Sequence, residues 1–74
     1  MVTAFVFFNI DQGGEKEALK QLRVFSEVKE AYQVYGLFDI VAMLEMNSMD
    51  QLGEAIRKVR AVGKVRSTVT TLVP

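Results

Sequence analysis

Thr3-Ala4-Phe5-Val6-Phe7-Phe8-Asn9-Ile10 is a run of aromatic and β-branched residues that stops at Asp11-Gln12-Gly13-Gly14, a cluster of turn formers. It predicts a strand. Both faces are apolar, with Ala4, Val6, Phe8 and Ile10 on one and Phe5 and Phe7 on the other. Side chains alternate across a strand, so such a segment needs cover on both sides and belongs in the middle of a sheet.

From Glu15 the period changes. Ala18, Leu19, Leu22 and Phe25 follow helical spacing, while Glu15, Lys16, Glu17, Lys20 and Arg23 take the wet side, which predicts a first helix. Glu30–Tyr35 reads as a second strand, Gly36-Leu37-Phe38 as its turn and Asp39–Met46 as a third strand. So short a link makes the pair an antiparallel hairpin. Ser48-Met49-Asp50-Gln51 fits a capping box, and Leu52, Ala55, Ile56, Val59 and Val62 continue a second helix to Gly63, a suitable terminator. Arg66–Val73 is a β-branched fourth strand. The order β-α-β-β-α-β is the split-βαβ, ferredoxin-like pattern of an α+β domain, with a four-stranded antiparallel sheet in order 4-1-3-2 and both helices on one face.

Seventy-four residues and 8.3 kDa make one domain, residues 1–74, since domains run from roughly 50 to 250 residues. A chain this short buries only about 60% of its unfolded surface, so comparable domains rely on disulfides, metals or self-association. Cys and His are both absent, which removes disulfides, Cys/His zinc sites, Cys- or Ser/His-based nucleophiles and imidazole acid–base chemistry. Apolar burial remains, and 50% hydrophobic residues with a mean hydropathy of +0.18 is high for this size; part of it is expected to lie against other copies. No stretch is long and apolar enough to span a bilayer and the start lacks a basic secretion signal, so the expected location is cytoplasmic, with no membrane partner. Nine cations balance nine acids, leaving no global field to hold nucleic acid. The charge is nonetheless polar: residues through Glu54 carry all nine acids against four cations, a net −5, and five unopposed cations follow, a net +5. A dipolar chain of this kind can pair with its own copies.

Glu45 does not suit a helix-covered core, so Ile40, Ala42 and Leu44 should face the helices and Asp39, Val41, Met43 and Glu45 should face away. The same reasoning sends Val69, Thr71 and Val73 inward and Thr68, Thr70 and Leu72 outward. The open face would carry Phe5, Phe7, Val41, Met43 and Leu72, and is expected to pack isologously on a second subunit as a sheet-on-sheet dimer. In the 4-1-3-2 order Gly36, Asp39 and Thr68 converge on one rim. Asp39 has two compatible roles, accepting amide hydrogens across the hairpin turn and anchoring a ligand's ammonium group. Thr68 and Thr70 offer hydroxyls that donate and accept, although β-propensity alone accounts for them. Asp39 and Thr68 of one chain are about two strand spacings apart, roughly 10 Å, so a small ligand touching both types would sit between subunits. Gly13-Gly14 lacks the residues of a phosphate loop and reads as a helix-entry turn. The basic run from Arg57 to Arg66 suits the C-terminal end of a helix and an acidic neighbour. No carboxylate pair forms an acid–base couple, and neither a catalytic site, a cofactor nor a metal site is expected.

The run Val34-Tyr35-Gly36-Leu37-Phe38-Asp39-Ile40-Val41 resembles the Gly-x-x-Asp hairpin of the effector-binding domain of Lrp/AsnC transcriptional regulators, the RAM (regulation of amino-acid metabolism) domain. Val65–Val73 resembles that domain's last, Thr-x-Thr strand, and the element order matches over nearly the whole chain. The resemblance implies dimerisation through the sheets, assembly into larger rings, and binding of a free amino acid near the dimer–dimer contact. The matching positions are Gly36, Asp39, Thr68 and Thr70. The Pro-Gly-Val that often leads into the last strand in the family is here Gly63-Lys64-Val65. Full-length members carry a preceding helix-turn-helix, so a stand-alone module is expected, without direct nucleic-acid binding and able to co-assemble with full-length Lrp/AsnC regulators. Two other readings remain at this point. One is a dimeric ferredoxin-like enzyme similar to antibiotic-biosynthesis monooxygenases, which a cavity beneath the sheet lined by Asn9 and Tyr32 would favour. The other is a purely structural oligomer.

Overall fold

The computed structural model describes all 74 residues, as β1 (Val2–Ile10), α1 (Glu15–Val24), β2 (Val28–Gln33), β3 (Ile40–Met46), α2 (Met49–Arg60) and β4 (Val65–Val73). The sheet is antiparallel in order β2-β3-β1-β4, which is the expected 4-1-3-2 order read from the other edge. β1 is central, as its two apolar faces require. Ala4, Val6, Phe8 and Ile10 are buried beneath the helices together with Ala18 and Leu22 of α1 and with Leu52, Ala55 and Val59 of α2. Ile40, Ala42 and Leu44 complete the layer from β3, on the face assigned to them. Apart from Gly14 every buried residue is apolar. No helix is long and apolar enough to cross a membrane.

Local chemistry explains the element ends. The Ser48 hydroxyl accepts the Gln51 amide hydrogen at 3.2 Å, which caps α2 and satisfies one of its free first-turn donors. Gly14 opens α1 without a side-chain cap; it is needed for a close approach, because a Cβ there would lie 2.9 Å from Cβ and Cγ of Lys64. α2 stops at Arg60, earlier than a Gly63 terminator implies. Ala61 and Val62 donate to the Lys58 and Val59 carbonyls in a tightened last turn that delivers Val62 to the core. The residue with positive φ in this link is Lys64, at +73°, and its carbonyl accepts from Asp11 N–H at 2.7 Å. β2 lies two residues earlier than the sequence suggested. Val34 and Tyr35 belong to the hairpin connection, where Tyr35 is 95% exposed and finds no sheet surface to cover.

The face assignment of β4 is reversed. Thr68, Thr70 and Leu72 pair with Phe8, Val6 and Ala4 and so lie on the helix side, whereas Val69, Thr71 and Val73 pair with Phe7, Phe5 and Thr3 and lie on the open side. The cause is position. β4 is an edge strand whose extensive contacts are with β1 alone, while the helices pack on β2, β3 and β1. With neither face covered, Leu72 stays 47% and Val69 51% exposed, and composition cannot signal which way the strand faces.

Candidate functional site at the hairpin rim

Asp39 sits where β3 starts, beside the end of β1. Its N–H donates to the Phe8 carbonyl at 2.8 Å, and its Oδ2 accepts the Ile10 N–H at 2.8 Å. The carboxylate thus stands in for the backbone acceptor that the strand pair lacks beyond Ile40. The amide it accepts comes from β1 and not from its own hairpin turn. The Asp39 carbonyl accepts from Val34 N–H at 2.9 Å and closes the hairpin. Oδ1 of this half-buried carboxylate has no hydrogen-bond partner within the chain. Gly36, at the exposed tip, has φ +141°, a backbone that L side chains rarely adopt. Its neighbour Leu37 is 89% exposed, and Phe38 folds back so that its ring lies 5.3 Å from that of Phe7 on the open face.

Thr68 reaches the same end of the sheet, since Phe8 pairs with Ile40 on one side and with Thr68 on the other. β1 lies between them, however. Thr68, half-buried, and Thr70, exposed, share the helix side with Phe8, whereas Asp39 precedes the inward-facing Ile40. One chain does not close these residues around a small molecule.

Two residues that sequence reasoning did not link with Asp39 lie near it: Asn9, between the two β1 residues that Asp39 bonds, and Ser67, which pairs with Asn9. Asn9 Nδ2 donates to Ser67 Oγ at 3.1 Å across the β1–β4 ladder, and the register then slips between Asn9 and Ile10, leaving Arg66 as the extra residue of a β-bulge. Bulges are common beside functional sites, but nothing in the sequence around Arg66 announces this one. Arg66 Nε is 3.7 Å from Asp11 Oδ1, an exposed pair.

The rest of the open face is a partly buried apolar floor of Phe5, Phe7, Val41 and Met43, with a depression of about 60 Å³ over Phe5, Val41 and Met43 that Glu30 and Tyr32 border. The Tyr32 hydroxyl donates to Glu30 Oε1 at 2.6 Å, and this bond raises the phenol above its usual range. Tyr32 and Asn9 line no common cavity: Tyr32 borders depressions on the open face and at the β2 edge, and no cavity includes Asn9. The observation that would favour a substrate pocket beneath the sheet is therefore not met.

The sequence model of the Lrp/AsnC ligand binding domain matches residues 3–73. The chain belongs to the Lrp/AsnC ligand-binding-domain family. Among solved structures, the hypothetical protein PHS023 from Pyrococcus horikoshii superposes with a TM-score of 0.93 at 35% identity, covering 100% of this chain and 90% of that one. AsnC of E. coli superposes with a TM-score of 0.88 at 28% identity over 97% of this chain, which accounts for 50% of AsnC. Homocitrate synthase of Saccharolobus solfataricus is 35% identical over 54 residues, 73% of this chain. The Lrp/AsnC-type match spans only 12% of that enzyme's length. It relates the chain to a small part of the synthase.

Proposed function

We propose that this Lrp/AsnC-type domain is an effector-sensing, self-assembling RAM module: it dimerises through its open sheet face, forms larger ring-like assemblies, and binds a free amino acid at a seam between subunits. Asp39, on the Gly36 hairpin of one subunit, receives the ammonium group, and Thr68 and Thr70 of another supply hydroxyls. The amino acid shifts the balance among assemblies to the extent that it binds them differently. The module acts in the cytoplasm without contacting nucleic acid, by co-assembling with full-length Lrp/AsnC regulators through like surfaces.

The observation that carries this reading is the open face. Phe5, Phe7, Val41, Met43 and Val69 form one continuous apolar surface with no cover from the chain's own helices, and no Lys or Arg of the strands interrupts it. Such a surface fits a self-complementary partner. The separation of Asp39, tied to the β1 backbone beyond the end of β3, from Thr68 and Thr70 on the helix side of β4 supports a seat shared between subunits, and the family's description as a ligand-binding domain supports an effector.

Native mass and melting temperature, measured with and without each of the twenty amino acids at millimolar concentration, test the proposal. At least one amino acid should raise the melting temperature or change the mass, and Asp39→Asn should abolish the response while keeping the fold. A lone protomer at high concentration overturns the assembly. A stable oligomer indifferent to every amino acid overturns the sensing role and leaves a purely structural subunit.

A further inference from the structure

Leu52, Ala55 and Val59 turn α2 onto the sheet, so Asp50, Gly53, Glu54, Arg57, Arg60 and Ala61, all exposed, lie on the helix's outer side, away from the open face. Spaced three and four residues apart, they form one stripe along α2. Its first half carries Asp50 and Glu54, and its second half Arg57 and Arg60. None of these four side chains has a hydrogen bond or ion pair within the chain, while Lys58, to one side of the stripe, is taken by Glu27. The helix dipole favours this order of charges but does not explain Gly53. Glycine weakens a helix interior, and a Cβ at Gly53 would meet nothing within 4 Å, so nothing inside this chain requires the bare backbone. What the missing side chain provides is close approach from outside: Gly53 and Ala61 open a depression that Ile56, Arg57 and Arg60 edge.

We propose that this stripe pairs with the same stripe of a second copy, the two α2 helices running antiparallel about a two-fold axis midway between Gly53 and Arg57. Such an axis sets Asp50 opposite Arg60 of the second copy and Arg57 opposite its Gly53, with Glu54 next to its Arg57. Symmetry repeats each contact, so every charge of the stripe meets its opposite and the two helix dipoles are opposed. Gly53 leaves room for the facing Arg57 side chain at the roughly 8–10 Å that separates packed helices. The occupant is a second copy, and not an unrelated acidic protein, because the stripe carries both signs in an order that its own reversal complements. The contact lies on the side of the protomer opposite the open face, and it rests on the proposed open-face dimer in that it joins such dimers to one another. Exposed ion pairs make it weak and sensitive to salt.

Sedimentation velocity on the intact protein at about 20 mM and about 500 mM salt tests this, with Arg57→Glu, the exchange Glu54→Arg with Arg57→Glu in one chain, and Gly53→Leu as variants. Particles larger than the open-face dimer should form at low salt and bind at least tenfold less tightly at high salt. Arg57→Glu sets acid against acid and should weaken that step about tenfold or more, and the exchange should restore it. Gly53→Leu, for which the free protomer has room, should block the step without lowering the melting temperature. If Arg57→Glu and Gly53→Leu leave the larger particles intact, the helix pairing is overturned while the sheet dimer stands. If Arg57→Glu weakens the step and the exchange does not restore it, the basic half meets some other acidic surface and the pairing of like helices is overturned. If the protein never exceeds a dimer, Val41→Glu and Gly53→Leu decide which face forms it: loss with Val41→Glu alone overturns the helix pairing, and loss with Gly53→Leu alone supports it and removes the sheet dimer. A lone protomer at low salt overturns both.

Discussion

The two faces of the sheet come from the same four strands and end in opposite states. On the helix side Ala4, Val6, Phe8, Ile40 and Leu44 have no accessible surface, whereas on the open side Phe5, Phe7, Val41 and Met43 are only partly buried and Val69 is 51% exposed. β1 is apolar on both sides, so hydrophobicity alone does not separate them. The difference is how far two helices reach: they dry one face of a chain of 74 residues and leave the other uncovered by the chain itself. One face thus serves folding, and the other is free to serve assembly.

This contrast can be broken most forcefully at Phe8. Truncating a fully buried Phe to Ala costs about 3–5 kcal/mol, a large share of the roughly 5–15 kcal/mol that stabilises a domain. Phe8→Ala should lose most of its cooperative urea transition; a midpoint close to the wild type would mean that the helix side is not the stabilising core. Val41→Glu asks the converse question of the open side. Circular dichroism should keep its native form while self-association measured by sedimentation equilibrium weakens at least 100-fold, roughly 2.7 kcal/mol. If association is unchanged, the open face is not where copies meet.

Asp39 stands between the two faces and tests whether the rim belongs to fold or ligand. Asp39→Ala leaves the Ile10 N–H without its acceptor and should cost about 1–3 kcal/mol in chemical denaturation. Asp39→Asn keeps an oxygen that can accept the same hydrogen and should recover most of that stability while losing the counter-charge for an ammonium group. Equal losses in both variants would mean that the charge itself holds the strands together.

How far these features could be read beforehand follows from how strongly burial marks them. β1, the two helices and the inward residues of β3 were legible because each has one face that is fully dry, and a dry face imposes a clean period. β4 was not, because as an uncovered edge it leaves Val69 and Leu72 about equally wet on opposite sides. Tyr35 misled for a related reason: its β-propensity argues for a strand, but the hairpin leaves the ladder at Gln33 and no neighbouring strand reaches it. Asp39 stood out as a carboxylate between Phe38 and Ile40, yet its tie to Ile10 and the Asn9–Ser67 pair depend on cross-strand register and on the Arg66 bulge. Those are set by long-range pairing, which no local pattern records.

The smallest effect is expected at the rim of the helix layer, where Lys58 Nζ of α2 donates to Glu27 Oε2 at 2.7 Å and ties α2 to the link between α1 and β2. This bond holds the Glu27 carboxyl below its usual range and the Lys58 ammonium above its own. A carboxylate with a depressed folded pKa gives stability that is present above its unfolded pKa and is lost as pH falls through the lowered value. A lysine with a raised folded pKa gives stability that is present below its unfolded pKa and is lost as pH rises through the raised value. The pair therefore supports the fold at neutral pH and fades at both extremes. The Lys58 side chain is 55% exposed, so water and salt screen the attraction. Lys58→Met should lower the melting temperature at pH 7 by much less than Phe8→Ala, and 1 M salt or pH 2 should shrink the difference between variant and wild type. A loss rivalling that of Phe8→Ala would show that charge at the rim, and not the drying of one sheet face, separates the two sides of this molecule.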